Sequence, residues 1–260
     1  MTAGSVAGLA VLATLVLVAA GAPWLAPADP FALTATALSA PSVSHPFGTD
    51  DLGRDVYAGV IRGASNSLVV GFTAGGCATI IGLVVGALGG MRGGVVDAVA
   101  MMATGLVQAV PRFFLVVLLV SLFGGHLWLI VLAIGLTSWP ATAQVFRTQV
   151  MTMMEREYVL AARAAGGGEF LVLTRHVLPA TLSITAAQVS YQAGGAILAE
   201  AGLSFLGLGD PTVMSWGALL GAAHHTVREA WWIAVFPGLA VTSTVLACNL
   251  LSDGLTERRR

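Results

Sequence analysis

The ionisable residues that could carry out chemistry are few in this chain, and they are far apart. Arg112 lies inside a long apolar run, and Glu200 lies near the end of another. In a bilayer, a charged side chain costs about 2.5–3.5 kcal/mol and normally turns toward a cavity or a partner. Arg112 is therefore either part of a polar path or an arginine that snorkels or contacts another subunit. Glu200 either reaches the membrane interface or forms an ion pair or hydrogen bond, as a structural pair or as part of a gate.

Other charged residues favour structural roles. Asp50, Asp51, Arg54 and Asp55 are dense enough to suggest a cation site. The arginine among them favours a turn followed by an amphipathic surface helix instead. Asp97 stands at the start of an apolar run, where we expect its carboxylate to complement a helix dipole.

The histidines and cysteines do not form a metal-binding pattern. His224 and His225 are adjacent in sequence, and adjacent residues of a helix do not face one another, so a metal would need ligands from elsewhere. Cys77 and Cys248 lie in apolar runs without ligand spacing, which is typical of small core residues. We therefore predict no metal site in this chain.

Motifs for nucleotide binding and hydrolysis are missing from the sequence. All 12 basic residues are arginine, so the Walker motif G-x-x-x-x-G-K-[ST] cannot occur. An intramembrane enzyme would need paired ionisable groups at membrane depth, and the apolar runs offer Arg112 and little else. No basic stripe is available for nucleic acid. We predict a chain with no catalytic residues and no cofactor of its own, driven by another subunit or by an ion gradient.

The elements that position these residues are predicted to be membrane-spanning helices. Hydrophobic residues make up 57% of the 260 residues and charged residues 10%, whereas an average soluble domain has about 25% charged residues. A bilayer core requires about 20 mostly apolar residues per helix. Runs of that size predict six spans, at Val6–Ala22, Leu68–Gly90, Val95–Phe123, Leu127–Val150, Ala180–Leu203 and Trp231–Leu251.

Two prolines interrupt these runs. Pro111 lies in the third run and Pro140 in the fourth, and each is expected to kink its helix and free backbone groups that neighbouring helices satisfy. The first run has no basic region before it and no convincing small-x-small site after it. A retained helix is therefore favoured over a cleaved signal peptide.

The arginines predict the orientation, because cytoplasmic loops carry an excess of positive charge. With both termini in the cytoplasm, only Arg54, Arg62 and Arg228 lie outside. The cytoplasmic side then holds Arg92, Arg147, Arg156, Arg163, Arg175 and Arg258–Arg260.

The segment between the fourth and fifth runs predicts a short, capped helix. Thr152 and Glu155 have the spacing of a capping box, so a helix is expected to begin there. Gly166–Gly168 can take the left-handed conformation that ends a helix. A face with small side chains is expected between these ends, formed by Tyr158, Ala161, Ala162 and Ala165. The helix is either a docking element for another protein or an interfacial connector.

Three separated motifs carry a resemblance to a known family. Leu160-Ala161-Ala162, Gly166 and Val177-Leu178-Pro179 resemble the EAA signature of binding-protein-dependent ABC importer permeases. HPFGTDDLGRDVYAGVIRGASNSL at His45–Leu68 and EAGLSFLGLGDPTVMSWGALL at Glu200–Leu220 resemble the second, C-type permease of the dipeptide, oligopeptide and nickel importers. The resemblance extends from about residue 42 to the C-terminus.

The resemblance implies an all-α, polytopic membrane bundle of about six helices, the type I ABC importer transmembrane domain. Residues 1–64 would form an N-terminal helix with an extracytoplasmic segment, and residues 65–260 the permease domain, with its coupling loop at about 148–179. The implied residues for contact with the ATPase are Glu155, Glu157, Tyr158, Ala161, Ala162, Ala165 and Gly166. Arg112 and Glu200 remain the candidates for the translocation path or its gate.

The implied function is the import of short peptides across a prokaryotic plasma (inner) membrane, with nickel or another small solute as the alternative. The implied partners are a homologous permease, an extracytoplasmic substrate-binding protein, and two ATPase subunits or one fused ATPase that bind ATP and Mg²⁺. Leu160 stands where the signature has glutamate, so that residue's role is lost unless Glu157 replaces it. Met102 and Gly105 stand where relatives carry an arginine and an aspartate. An ion-coupled carrier or channel is the alternative of a different class.

Overall fold

The computed structural model describes residues 3–257 of the chain. Within them the regular structure is helical, apart from two isolated β-bridges. The helices are, in chain order, α1 (Ala3–Ala20), α2 (Ala22–Leu25), α3 (Val56–Arg92), α4 (Gly94–Gln108), α5 (Arg112–Phe123), α6 (Leu127–Met154), α7 (Glu157–Ala164), α8 (Glu169–Val172), α9 (Leu178–Phe205), α10 (Trp216–Ala223) and α11 (Trp232–Glu257). A π-helical turn, Leu173–Val177, joins α8 to α9.

All six predicted spans are helical, but they differ in how well they suit a bilayer. Among residues 3–257, α3, α6 and Trp232–Thr256 of α11 are long and apolar enough to cross a membrane, and α4 with α5 forms a fourth, bent candidate. The apolar helix Gly4–Ala20 is shorter, and α9 has 28 residues with more polar side chains. The number of six spans stays a prediction.

The third span is broken where the sequence predicts a kink. The axes of α4 and α5 are bent by 75° relative to each other. Pro111 stands between them with φ −54° and ψ 122°, directly before Arg112. Proline lacks the N–H that a continuous helix needs, so the expected interruption at Pro111 is confirmed. In contrast, α6 continues through Pro140.

Glycines of α3 allow this helix to lie at the centre of the bundle. A Cβ atom on Gly86 would lie 2.4 Å from the carbonyl oxygen of Ala143 in α6. On another face of α3, a Cβ atom on Gly75 would lie 2.6 Å from the backbone nitrogen of Ala193 in α9. Small residues let the backbones of membrane helices approach closely. The resulting van der Waals packing drives helix association in lipid, where the hydrophobic effect does not. Glycine is therefore required where α3 meets α6 and α9.

The first helix packs into the bundle through the same kind of contact. A Cβ atom on Gly8 would lie 2.7 Å from the carbonyl oxygen of Ala247 in α11. Ser65 of α3 donates a hydrogen bond to the carbonyl oxygen of Ala19 at 2.8 Å. These contacts are those expected of a retained helix.

The carboxylates near residue 50 form a turn, as expected. Asp50 accepts hydrogen bonds from the backbone N–H groups of Leu52 and Arg54 at 2.9 and 2.8 Å. Asp55 is the N-cap of α3 and accepts from the backbone of Tyr57 at 2.8 Å.

The expectation of a separate amphipathic surface helix after this turn is wrong. The helix that begins at Val56 is the start of α3 itself, and it extends the second predicted span by twelve residues at its N-terminal end. Val56 and Ala58 are buried. Polar residues in these twelve positions end the apolar run in the sequence, but they form hydrogen bonds with other segments of the chain. Arg62 donates to the carbonyl of Ala26 at 2.9 Å, and Asn66 donates to the carbonyl of Met214 at 2.8 Å.

Candidate functional site

The predicted docking helix exists as α7, but it begins later than the capping-box pattern indicates. Thr152 lies in the last turn of α6, where its hydroxyl donates to the carbonyl of Thr148 at 3.0 Å. Glu155 ends α6 as its C-cap, and Arg156 precedes α7 without a side-chain cap. Met153 and Met154 are buried. Their burial extends α6 past the threonine, so the predicted cap at Thr152 is wrong.

The end of α7 matches the sequence prediction. Gly166 has φ +86°, a conformation that costs a residue with a side chain roughly 1–2 kcal/mol. Its N–H donates to the carbonyl of Arg163 at 2.9 Å, and the N–H of Gly167 donates to that of Ala162 at 2.9 Å. These two bonds form a Schellman motif, which satisfies carbonyls at the helix end. The prediction that the glycines terminate this helix is confirmed.

One side of α7 holds it against the bundle, and the other sides are exposed. Val159 is fully buried in a cluster with Met153 and Met154 of α6 and with Val172 and Val177 beyond α7. The remaining predicted coupling residues point elsewhere: Ala162 is half-buried, and the exposed ones are Glu155, Glu157, Tyr158, Ala161, Ala165 and Gly166. Leu160, which stands where the EAA signature has glutamate, is exposed too. We call Tyr158, Ala161 and Ala165 the α7 surface.

The segment that follows α7, formed by α8 and the π-helical turn, also contacts other helices. Glu169 of α8 pairs with Arg92 at the end of α3, with a distance of 3.2 Å between Oε2 and Nε, and both side chains are more than half exposed. Exposed pairs of this kind contribute about 0–1 kcal/mol. The ring of Tyr158 lies 5.9 Å from that of His176 in the π-helical turn, measured between centroids. The turn leads directly into α9.

A partly buried ion pair that the sequence did not indicate joins α4 to α6. Asp97 lies in the first turn of α4, as expected from the dipole argument. Its two carboxylate oxygens accept hydrogen bonds from Nε and Nη2 of Arg147. The side chains are 19% and 28% exposed. No local pattern relates residues that are 50 positions apart, so only the packing of α4 on α6 reveals this pair.

Arg112 lies at the break of the third span and faces a cavity of about 240 Å³. Its Nη2 donates to the carbonyl oxygen of Gly195 in α9 at 3.2 Å. The cavity is also lined by Gln108, Tyr191 and Gln192. Arg112 therefore lies among polar groups from three helices, which agrees with the alternative of a polar path and leaves the path itself a prediction.

Amide side chains that the sequence analysis overlooked brace this region. Gln192 donates from Nε2 to the carbonyl of Ser138 at 2.9 Å and to the hydroxyl of Thr142 at 2.6 Å. Gln144 donates to Oε1 of Gln108 at 3.1 Å. Glutamine inside an apolar run is itself a signal, because a polar side chain in hydrocarbon needs a partner. This signal points to α4, α6 and α9 as the elements that converge here.

Glu200 is buried near the far end of α9 and does not reach the membrane interface as a free side chain. It is 2% exposed, and its Oε1 accepts a hydrogen bond from Ser204 at 2.7 Å. Within residues 3–257, its Oε2 has no hydrogen-bond partner, and neither Glu200 nor Arg112 forms an ion pair. The packing of α10 against this end of α9 explains the burial, since a Cβ atom on Gly217 would lie 2.6 Å from Cα of Ala201.

The histidine and cysteine positions do not cluster. The rings of His224 and His225 are 4.9 Å apart between centroids and inclined by 74°. Among the residues described, no three His, Cys, Asp or Glu side chains are placed to hold a metal ion. Cys248 is buried and Cys77 is half-buried, and both are free thiols.

Comparisons with known proteins agree with this architecture. The chain is 36% identical to the di/tripeptide transport system permease protein DppC of Pseudomonas aeruginosa over 262 residues, which covers 98% of this chain and 86% of that protein. The fold resembles a solved chain of the MetNI methionine ABC transporter in an inward-facing conformation, with a TM-score of 0.54 and 15% identity, over 75% of this chain and 95% of that chain.

The family profile described as binding-protein-dependent transport system inner membrane component matches residues 78–258. That stretch contains α4 to α11 and the C-terminal part of α3, and it therefore includes α7, Glu200 and the cavity at Arg112. This chain therefore belongs to the family of inner membrane components of binding-protein-dependent ABC transport systems.

Proposed function

We propose that this chain is one of two homologous permease subunits of an ATP-driven importer of short peptides. The observation that carries the proposal is α7, a short helix with a small exposed surface and a buried anchor, in a chain 36% identical to a di/tripeptide permease. Nickel or another small solute is the alternative substrate. An extracytoplasmic binding protein delivers the substrate to the path between the two permeases.

The ATP chemistry belongs to partner subunits in this proposal. Two ATPase subunits, or one fused ATPase, bind ATP and Mg²⁺ and contact the α7 surface in the cytoplasm. The positive-inside rule supports this orientation, with both chain termini on the same side. Part of that argument rests on Arg258–Arg260, which lie outside the described residues.

The position of α7 explains how an ATPase would move the path. It follows α6 after two residues and leads through α8 and the π-helical turn into α9. Val159 packs against residues at the end of α6 and just before α9, so α7 cannot shift without moving both. Because α6 and α9 also carry the polar groups near Arg112, a push on α7 changes the path at mid-height. This coupling fits alternating access.

The test uses matched glycine substitutions at the end of α7. A Cβ atom would meet nothing within 4 Å at either Gly166 or Gly168, but only Gly166 has a positive φ. Gly166→Val strains the Schellman motif by about 1–2 kcal/mol, so we expect a loss of about five- to thirtyfold in ATPase co-purification and in ATP-driven dipeptide uptake. Gly168→Val should retain both, and Gly166→Asn should lose less because asparagine tolerates this conformation.

Two measurements test separately whether α7 contacts the ATPase and which substrate is transported. The variants are purified in mild detergent from their native membrane, and retention of a soluble ATPase is measured before uptake. Wild-type retention and uptake in Gly166→Val would contradict the role of α7. ATPase retention without uptake of any labelled dipeptide, together with uptake of Ni²⁺, would move the proposal to the alternative substrate.

A further inference from the structure

The cavity at the broken third span has the chemistry of an anion site. We infer that Arg112 and its neighbours bind the carboxylate of a peptide during its passage. This inference rests on the proposed function and adds to it a chemical group of the substrate and the residue that recognises it.

The cavity lies at membrane depth. Two of its lining residues, Pro140 and Tyr191, are halfway along the 28-residue helices α6 and α9. With a rise of 1.5 Å per residue, each lies about 20 Å from either end of its helix. A group bound here is at the middle of the path and not at one of its mouths.

The polar groups around the cavity cannot face lipid. Of the residues that line the cavity, Gln108 is exposed and Tyr191 is 56% exposed. Hydrocarbon offers such groups no hydrogen bonds, so charged and polar side chains at this depth face a water-filled space or another protein. The exposed side of the cavity is therefore the side that opens to the path.

The guanidinium of Arg112 has donors to spare. An arginine has five N–H donors in a fork that matches a carboxylate. Within residues 3–257, Arg112 makes one hydrogen bond, to the carbonyl of Gly195, and no ion pair. Other carboxylates are engaged elsewhere: Asp97 pairs with Arg147, and Glu200 bonds to Ser204. The positive charge at the cavity is not neutralised by the described chain.

The backbone adds to this positive potential. Arg112 is the first residue of α5, and Pro111 before it provides no side-chain cap. The N-terminus of a helix carries a partial positive charge, and discontinuous membrane helices point such ends at anionic groups of substrates. Both Pro111 and Arg112 line the cavity, so side chain and backbone favour the same ligand charge.

The size of the cavity limits what can enter. Its volume of about 240 Å³ equals roughly eight water molecules at about 30 Å³ each. The cavity is open on one side, and this space accommodates one amino-acid residue with its terminal carboxylate. The subsite therefore holds the C-terminal residue of the peptide while the remainder lies in the path.

The experiment compares dipeptides that differ only in this carboxylate. The complete importer is reconstituted in proteoliposomes with its binding protein, and uptake of a labelled dipeptide is measured against that of its C-terminal amide. Binding of both to the binding protein is measured separately, so that uptake is compared at equal loading. The variants are Arg112→Gln, Arg112→Lys and, as the matched control, Arg228→Gln at an exposed arginine.

The expected result is selective. Arg112→Gln should lower uptake of the free-acid dipeptide at least tenfold and that of the amide less than twofold, with ATPase retention unchanged. Arg112→Lys should restore part of the free-acid uptake, and Arg228→Gln should resemble wild type. Equal loss for acid and amide, or no loss for either, would overturn the carboxylate subsite while peptide import itself stands. Absence of dipeptide uptake by the wild-type importer would overturn both.

Discussion

Gly86 offers the most direct test of how the bundle is held together. It faces α6, and a Cβ atom built on it would lie 2.4 Å from the carbonyl oxygen of Ala143 and 2.8 Å from the backbone nitrogen of Arg147. Ordinary van der Waals contact begins at 3.4 Å. The substitution Gly86→Ala therefore requires α3 and α6 to separate locally by about 1 Å, a shift on the scale of core overpacking.

The cost follows from this displacement. Overpacking of a well-packed core typically costs about 1–3 kcal/mol. Replacing glycine by alanine in a helix also gains about 1 kcal/mol of helix propensity, which would mask part of the effect. Gly76 lies on the same helix with nothing within 4 Å of its Cβ position. The difference between Gly86→Ala and Gly76→Ala cancels the propensity gain and should equal about 1–3 kcal/mol.

The assay is equilibrium unfolding of the purified chain in mixed micelles with increasing SDS, followed by circular dichroism or tryptophan fluorescence. We expect Gly76→Ala to match or exceed the wild-type midpoint and Gly86→Ala to unfold earlier. Equal midpoints for the two variants would refute the close approach of α3 and α6, and with it the reason given for glycine at this position.

Two further predictions concern charged groups. Arg147→Met leaves the partly buried carboxylate of Asp97 unpaired, whereas the double change Arg147→Met/Asp97→Leu removes both charges. The single change should therefore destabilise the chain more than the double change; a double-mutant cycle measures this, and additive single effects would contradict it. Burial raises the pKa of Asp210, but hydrogen bonds from the hydroxyl and N–H of Thr212 and the N–H of Leu127 outweigh it, so the pKa lies below its ordinary value. A carboxyl whose pKa is lower in the folded state stabilises the protein at pH above its unfolded-state pKa of about 3.9, and this stabilisation is lost as the pH falls through the folded-state pKa. Asp210→Asn should therefore be less stable than wild type at neutral pH, and the difference should shrink below about pH 4. If the difference in stability between wild type and Asp210→Asn did not depend on pH, an ionised Asp210 in the folded protein would be contradicted.

Local features of the chain were predictable from the sequence because they depend on neighbouring residues. Each of the six apolar runs is helical, since a backbone in an apolar environment must satisfy its own hydrogen bonds. Pro111 breaks the third span because of its missing N–H. Gly166 ends α7 because glycine takes a positive φ without strain. The family assignment rested on three such local motifs, and the profile match and DppC relative confirm it.

Local patterns failed where packing competed with them. The capping box at Thr152 was a good local signal, but burial of Met153 and Met154 extends α6 through it. The polar start of α3 was predicted as a surface helix and not as part of the second span, because the local pattern does not show that its polar side chains find partners in segments far along the chain. Tertiary contacts decided both boundaries.

The pairing of distant groups was decided by the tertiary structure alone. The sequence places five polar residues in helices, but the apolar pattern of these helices does not specify which side of each helix faces its neighbours. The five are Asp97, Gln108, Arg112, Arg147 and Gln192. Close contact of α3 with α6 and α9 through glycines sets these orientations. Only then does Asp97 meet Arg147, and only then do Gln108, Arg112 and Gln192 surround one cavity. Composition and local motifs thus determined the class of protein and its helices, whereas side-chain contacts across 50 or more residues required the packed bundle.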